Sequence, residues 1–152
     1  MTWPLSQRIQ SFQPSATVSI SNLAAQMTAD GKDVINLAMG EPDFDTPEHI
    51  ITAAAHAMQT GQTRYTQVGG TASLRHAICT KYARENQLHY QPSQVLVSNG
   101  AKQSIYNLTV ALLEAGDEVI IPAPYWVSYS AMVTMAGATP VILQCPSEQQ
   151  LK

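Results

Sequence analysis

The chain has 152 residues, of which 45% are hydrophobic and 12% are charged, so it is long enough to bury one core. Its net charge of -3 is spread over single side chains, which gives no basic stripe for a nucleic acid or an anionic membrane. No apolar run approaches the roughly 18 residues of a membrane span and the N-terminus lacks a signal pattern, so we expect a cytoplasmic protein.

The first half of the chain is predicted to be mainly helical. Apolar residues recur at helical spacing, and Thr46 and Thr71 stand where N-caps are expected, with Pro47 at a first helical position. The predicted elements are an irregular arm over 1–15, a helix from Thr17 to Asp30, a buried strand over 34–39, a helix from Pro47 to about Thr60, and a longer helix that begins after Thr71.

The second half changes to strands that alternate with helices. The predicted elements are a strand over 94–98, a helix over 101–114, a strand over 118–121, a helix over 125–136 and a strand over 141–144. This alternation is typical of an α/β fold with a parallel sheet covered on both faces. Ligands of such sheets bind beyond the carboxyl ends of the strands, where helices begin.

One segment that fits this position is Ser98-Asn99-Gly100-Ala101-Lys102. The small residues Gly100 and Ala101 allow backbone N–H groups at a helix start to approach an anion, and Lys102 there opposes the helix dipole unless an anion compensates it. A close-packed turn with a solvated lysine is the alternative. Neither a P-loop nor a dinucleotide fingerprint occurs, so a phosphate at this turn belongs to another kind of cofactor.

Two aromatic residues are further candidates. Trp126 follows two prolines beyond a predicted strand, and its flat indole can stack on a planar ring, although a buried core position is the alternative. Tyr65 stands in a polar loop, where a tyrosine is more often a surface residue than a ligand. The four histidines lack ligand spacing, so no metal is expected.

Four segments together carry a resemblance to a known family. They are VINLAMGEPDFDTP (34–47), TRYTQVGGTASLRHAI (63–78), SNGAKQSIYN (98–107) and EVIIPAPYWVSYSAM (118–132). In this order and spacing they resemble the N-terminal portion of class I aminotransferases, in the aspartate aminotransferase subgroup of pyridoxal-phosphate (PLP) fold type I. The resemblance implies a truncated α/β fold. Residues 1–45 are then an arm, a helix and the start of a small domain, and 46–152 are the first, incomplete part of the large domain.

The resemblance also implies how the cofactor is held. Gly100, Ala101 and Lys102 cradle the phosphate of PLP, mostly through backbone N–H groups. Trp126 stacks on the pyridine ring. Tyr65 reaches the phosphate in the partner subunit's site, which makes the family a homodimer with shared active sites.

For the substrate, the resemblance implies three contacts. Gly40 contacts the α-carboxylate through its backbone, Trp126 borders the substrate, and Lys102 also pairs with the distal carboxylate of a dicarboxylic amino acid. The expected activity is transamination of aspartate or another dicarboxylic amino acid with a 2-oxo acid.

The resemblance also shows what the chain lacks. PLP chemistry needs a Schiff-base lysine and an acidic partner for the ring nitrogen, and in the family both lie beyond the matched region. The four lysines do not match that position; they are Lys32, Lys81, Lys102 and Lys152. We therefore expect no catalytic residue in this chain and no activity from it alone. The alternatives are a fold type I lyase or synthase and a non-catalytic aminotransferase-like segment.

In the family's large domain, the strand matching 94–98 lies at one edge of the sheet. The strands matching 118–121 and 141–144 lie at the other edge, and the strands between them come later in the sequence. A chain without these central strands leaves backbone groups unpaired. We therefore expect that it is not a well-folded monomer by itself.

Overall fold

The structure is a computed structural model that describes residues 3–10 and 14–149. The chain divides into two compact units, Met1–Ala54 and Ala55–Lys152, and the boundary falls within a helix. Lys152 and parts of the predicted arm lie outside the described residues. Among those that are described, no helix is long and apolar enough to cross a membrane.

In the first unit, two helices precede the start of a third. These helices are α1 (Gln7–Gln10), α2 (Ala16–Ala29) and α3 (Glu48–Gln59). The prediction of an irregular arm is wrong for α1, where the Gln10 N–H bonds to the Ser6 carbonyl at 3.1 Å. The helix predicted from Thr17 to Asp30 is confirmed as α2, and the Ser15 side chain caps it by accepting a hydrogen bond from the Val18 N–H at 3.5 Å.

The predicted strand over 34–39 does not form. Residues 34–39 have no regular structure, and the side chains of Ile35 and Leu37 are 85% and 88% exposed. Because a strand is stabilised by the ladder that it makes with a neighbour, an apolar pattern without a neighbour cannot become a buried strand.

The second unit contains the rest of α3, three more helices and two strands. The helices are α4 (Ala72–Asn86), α5 (Ala101–Leu112) and α6 (Ser128–Ala136), and the strands are β1 (Glu118–Ala123) and β2 (Thr139–Gln144). The predicted cap of α4 is confirmed, since the Thr71 side chain accepts a hydrogen bond from the Leu74 N–H at 3.3 Å. Short 3-10 turns occupy Pro92–Gln94 and Ser147–Gln149.

The strands β1 and β2 pair in parallel, from Glu118 beside Thr139 to Ala123 beside Gln144. This confirms the predicted parallel pairing for these two strands. Helix α6 lies on one face, where Ile121, Val133 and Ala138 form a small buried cluster. On the opposite face Ile120 remains 68% exposed and Leu143 52% exposed. The sheet is therefore covered on one face only by the residues described.

The predicted strand over 94–98 does not form either. Gln94 closes the 3-10 turn, and residues 95–98 pair with neither β1 nor β2. Its apolar pattern is as strong as that of β1, but the described residues offer it no adjacent strand. The helix boundaries also shift, because α5 ends at Leu112 and α6 begins only at Ser128.

Candidate functional site

The Gly100 turn leads directly into α5. Gly100 has φ 85° and ψ 164°, a conformation that is essentially restricted to glycine, and a Cβ added there would meet no atom of the described chain within 4 Å. Its N–H bonds to the Ser98 carbonyl at 2.9 Å, and the Asn99 N–H donates to the Gln103 side-chain oxygen. The turn is thus fixed by its own hydrogen bonds and faces open space.

The start of α5 favours an anion. The first N–H groups of a helix have no acceptor inside the helix, and the helix dipole places partial positive charge there. No acidic side chain stands in the first turn of α5 to neutralise that charge. Ala101 contributes only a methyl group at this position, so its backbone remains approachable. Gly100, Ala101 and Lys102, the residues predicted to bind an anion, therefore stand together at the start of this helix.

Lys102 turns towards an aromatic ring. Its Nζ lies 4.7 Å from the centroid of the Trp126 ring, a distance typical of a cation–π contact. The same ring makes an edge contact with Tyr129, with centroids 5.5 Å apart and an interplanar angle of 87°. Lys102 and Trp126 come from different elements, so the fold of the second unit brings together two residues that are distant in sequence.

Trp126 does not open a helix, contrary to the prediction for 125–136. The chain between β1 and α6 is irregular at this point, and the Tyr125 side chain packs against the Ile121, Val133 and Ala138 cluster. That packing holds the backbone out of the helix until Ser128. Trp126 itself remains 42% exposed, so part of its indole surface is accessible near the start of α5.

A cleft of about 390 Å³ lies between α5 and α6. This volume is within the range of small-molecule sites, about 300–1,000 Å³. Its lining is mostly apolar, with Lys102 as the charged member; the lining residues are Asn99, Lys102, Gln103, Tyr106, Met132 and Met135. The second unit therefore places the Lys102 ammonium group and the Gly100 turn beside a cleft whose surface is mostly apolar.

The other two predicted site residues are Tyr65 and Gly40. Tyr65 is fully exposed in the loop between α3 and α4, as its polar surroundings in the sequence suggested. Gly40 belongs to the first unit, and an added Cβ there would meet nothing of the described chain within 4 Å. Near it, the Asn36 side chain accepts a hydrogen bond from the Ala38 N–H at 3.0 Å, which stiffens the irregular segment.

The structure adds a feature that the sequence did not indicate. Arg75 donates hydrogen bonds to the Gln67 side chain and to the Pro92 carbonyl, and Gly70 packs closely on Val97. A Gly-Gly pair before a helix was the only visible signal. The acceptor of an arginine hydrogen bond 17 residues away leaves no mark in a single sequence.

Comparison with known proteins places these residues in context. The family model described as aminotransferase class I and II matches residues 32–152. An aspartate/prephenate aminotransferase from Nitrosomonas europaea is 52% identical over 148 residues, which are 97% of this chain and 37% of that relative. The chain therefore spans little more than a third of that relative.

Solved structures give the same picture. An aspartate aminotransferase from Thermus thermophilus, solved with maleate, matches with a TM-score of 0.94 and 43% identity over 99% of this chain and 39% of its own. An aspartate aminotransferase from Rhizobium meliloti matches with a TM-score of 0.91 and 44% identity, over 99% of this chain and 38% of its own.

Proposed function

This chain belongs to the aminotransferase class I and II family, and from that membership we propose that it forms the phosphate-binding part of a PLP-dependent aminotransferase. The observation that carries the proposal is the open Gly100 turn at the start of α5, with Lys102 lying over the Trp126 ring. The proposed substrates are aspartate or another dicarboxylic amino acid and a 2-oxo acid. The proposal includes a homodimer in the cytoplasm.

The residues of the turn fit the phosphate of PLP. Ala101 and Lys102 present backbone N–H groups at the start of α5, Gly100 has no side chain to obstruct an anion, and Lys102 supplies a positive charge at the same helix end. When bound, PLP supplies an electron sink for the bonds at the amino acid's Cα. This chain's contribution is to bind the phosphate and to orient the ring.

Trp126 is proposed to hold the plane of the cofactor ring. Its indole is fixed from one side by the edge contact with Tyr129 and carries the Lys102 ammonium group within 4.7 Å of its centroid. A ring stacked on the exposed part of the indole would then lie close to a cation. Such an arrangement favours anionic groups on the cofactor or substrate.

Gly40 and Tyr65 complete the proposed contacts. Gly40, in the GEPDF segment, would contact the α-carboxylate of the substrate through its backbone. Tyr65 is fully exposed, which suits a residue that becomes buried only against a partner subunit. In a two-fold dimer each subunit would then lend its Tyr65 to the phosphate site of the other.

The lysine that binds the cofactor covalently is proposed to lie outside this chain. Lys81 is paired with Glu85 at 2.6 Å on the surface of α4, and Lys102 lies on Trp126 at the phosphate end. Lys32 belongs to the first unit and Lys152 lies outside the described residues. The chain alone should therefore show no transamination.

The test is a chimera that joins this chain to the remaining part of the Nitrosomonas europaea relative, in place of the matching segment. We expect this chimera, called the assembled enzyme below, to transaminate aspartate with 2-oxoglutarate in a coupled assay, while the isolated chain gives no turnover. An inactive assembled enzyme that is folded and dimeric would contradict the proposed function. Turnover by the isolated chain would contradict the placement of the lysine.

The substrate class is tested at Lys102. A charge-assisted pair contributes about 1.5–3 kcal/mol, so Lys102→Ala in the assembled enzyme should lower kcat/KM for aspartate roughly tenfold or more. Alanine has no distal carboxylate, and its kcat/KM should change far less. Equal losses for the two substrates would show that Lys102 serves the phosphate alone.

A further inference from the structure

Arg75 joins the loop that carries Tyr65 to the segment that leads into the Gly100 turn. It lies in the first turn of α4 and is partly buried. One guanidinium nitrogen donates to the Gln67 side-chain oxygen at 2.6 Å, and another donates to the Pro92 carbonyl at 3.2 Å. Gln67 belongs to the loop that carries Tyr65, and Pro92 begins the segment that leads to Gly100.

Backbone contacts at the same junction are equally close. The Val97 N–H bonds to the Gly69 carbonyl at 3.0 Å. Gly70 has φ +99°, and a Cβ added there would lie 2.6 Å from a Val97 methyl carbon. No other residue fits at Gly70 without a shift of Val97, so the loop and the lead-in segment are in direct contact.

This junction lies between two proposed phosphate ligands. Tyr65 precedes Gln67 by two positions, and Gly100 follows Val97 by three. We propose that Arg75 is a positioning residue for phosphate recognition, because it fixes the Tyr65 loop and the Gly100 turn relative to each other. The proposal rests on the proposed function, in which Tyr65 serves the partner's site, so Arg75 would connect the two phosphate sites of the dimer.

A guanidinium group suits this role better than other side chains. Its planar fork reaches two acceptors on different segments at fixed angles, whereas a lysine ammonium acts as a single flexible point charge. Among the described residues, the Arg75 Nε–H is buried without an acceptor. A buried donor without a partner is unfavourable, so an apolar side chain would suit stability alone better than this arginine.

The experiment compares two cofactors on the assembled enzyme. PLP and pyridoxal differ only in the phosphate, so the ratio of their dissociation constants measures phosphate recognition. Arg75→Met should weaken PLP binding roughly tenfold while leaving pyridoxal binding within twofold, and Arg75→Lys should not rescue it. Arg84→Met, on the same helix but with its partner Glu85 at the surface, is the matched control and should change neither constant.

A second variant covers the case in which Arg75→Met fails to fold. Gln67→Ala removes one acceptor from an exposed loop position and should lower the PLP preference in the same direction, by a smaller factor. Equal weakening of both cofactors in these variants, or an unchanged ratio, would overturn the Arg75 proposal alone. If the unsubstituted assembled enzyme bound pyridoxal as tightly as PLP, the proposed phosphate site itself would be wrong.

Discussion

Two stretches of the second unit share a strand-like sequence and have different structures. Residues 118–123 form β1 and pair with β2, and Ile121 in this strand is only 5% exposed. Residues 94–98 are comparably rich in valine, leucine and isoleucine taken together, but they form no ladder with either strand, and Leu96 is 56% exposed. The sequence pattern alone does not separate the two stretches. What separates them is whether a neighbour is present in the described chain.

This difference shows that an apolar pattern specifies a strand only together with its partner. Strand β1 pairs with β2, which follows it after the single helix α6, and α6 covers one face of the pair. The 94–98 stretch is held by other means, since the Val97 N–H bonds to the Gly69 carbonyl and Gly70 packs against the Val97 side chain. Arg75 bonds to the Pro92 carbonyl just before this stretch. Many large apolar side chains of the described residues are exposed, Ile35, Leu37 and Ile120 among them.

The largest expected effect concerns hydrogen exchange in the two stretches. In the isolated chain, the hydrogen-bonded amides of β1 and β2 should exchange on the order of a hundredfold more slowly than the Leu96 amide, because the former have ladder acceptors. In the assembled enzyme this difference should disappear as 94–98 gains a neighbour. Mass spectrometry of the exchanged peptides measures both states.

Size-exclusion chromatography supplies the control for that measurement. Exposed strand edges and bare apolar faces favour association, so the isolated chain should elute as a mixture of larger species. A single monomeric peak with strong protection of the Leu96 amide would contradict the comparison, because it would show that this stretch is stable without a ladder.

Much of the fold follows from local signals in the sequence. Residue type alone predicts two of these features. The Thr71 hydroxyl can cap a helix, and the glycine in Ser98-Asn99-Gly100 permits φ 85°. The parallel strands β1 and β2 follow from a helix of suitable length between two apolar runs. These features depend on residues that are near in the chain, so a pattern suffices to predict them.

The errors in the two strands and at the start of α6 share a physical cause. The strands predicted over 34–39 and 94–98 depend on neighbours that the described residues do not supply. The start of α6 is displaced because Tyr125 packs into the apolar cluster, which is a tertiary contact. The Lys102 contact with Trp126 likewise crosses two elements. The candidate site residues were inferred from motifs and stay a prediction, and motifs gave no indication of the contact between Lys102 and Trp126.

A smaller effect sharpens the comparison at the Gly70 contact. Gly61 and Gly70 both have positive φ, at +79° and +99°, but only Gly70 faces another side chain closely. Gly61→Ala in the assembled enzyme should cost about 1–2 kcal/mol from left-handed backbone strain. Gly70→Ala should cost a further ~1–3 kcal/mol, because the new methyl group overlaps Val97. Urea denaturation of both variants separates backbone strain from the contact.

Equal destabilisation by the two substitutions would mean that Val97 moves aside without cost. The lead-in segment would then be held only loosely, and the difference from β1 would be larger than the structure indicates. A clearly larger destabilisation by Gly70→Ala would show that close packing of Val97 against Gly70 supplies part of the stability that a strand gains from ladder hydrogen bonds.

The smallest expected effect is at Glu85, on the exposed end of α4. The hydrogen bonds from Lys81 and then Arg84 lower the pKa of Glu85 below its ordinary value. A lowered pKa in the folded state contributes stability above the ordinary pKa of the carboxyl group, and that contribution is lost as pH falls through the lowered value. Because all three side chains are well exposed, solvent screens the pairs strongly.

Glu85→Gln should therefore shift the thermal midpoint of the assembled enzyme no more at neutral pH than the matched control Glu114→Gln. Any small difference should vanish in acid and at high salt. A large fall in the thermal midpoint at neutral pH, seen for Glu85→Gln and not for Glu114→Gln, would contradict this expectation. It would show that the surface charges of α4, the helix that also carries Arg75, contribute more to stability than exposed ion pairs ordinarily do.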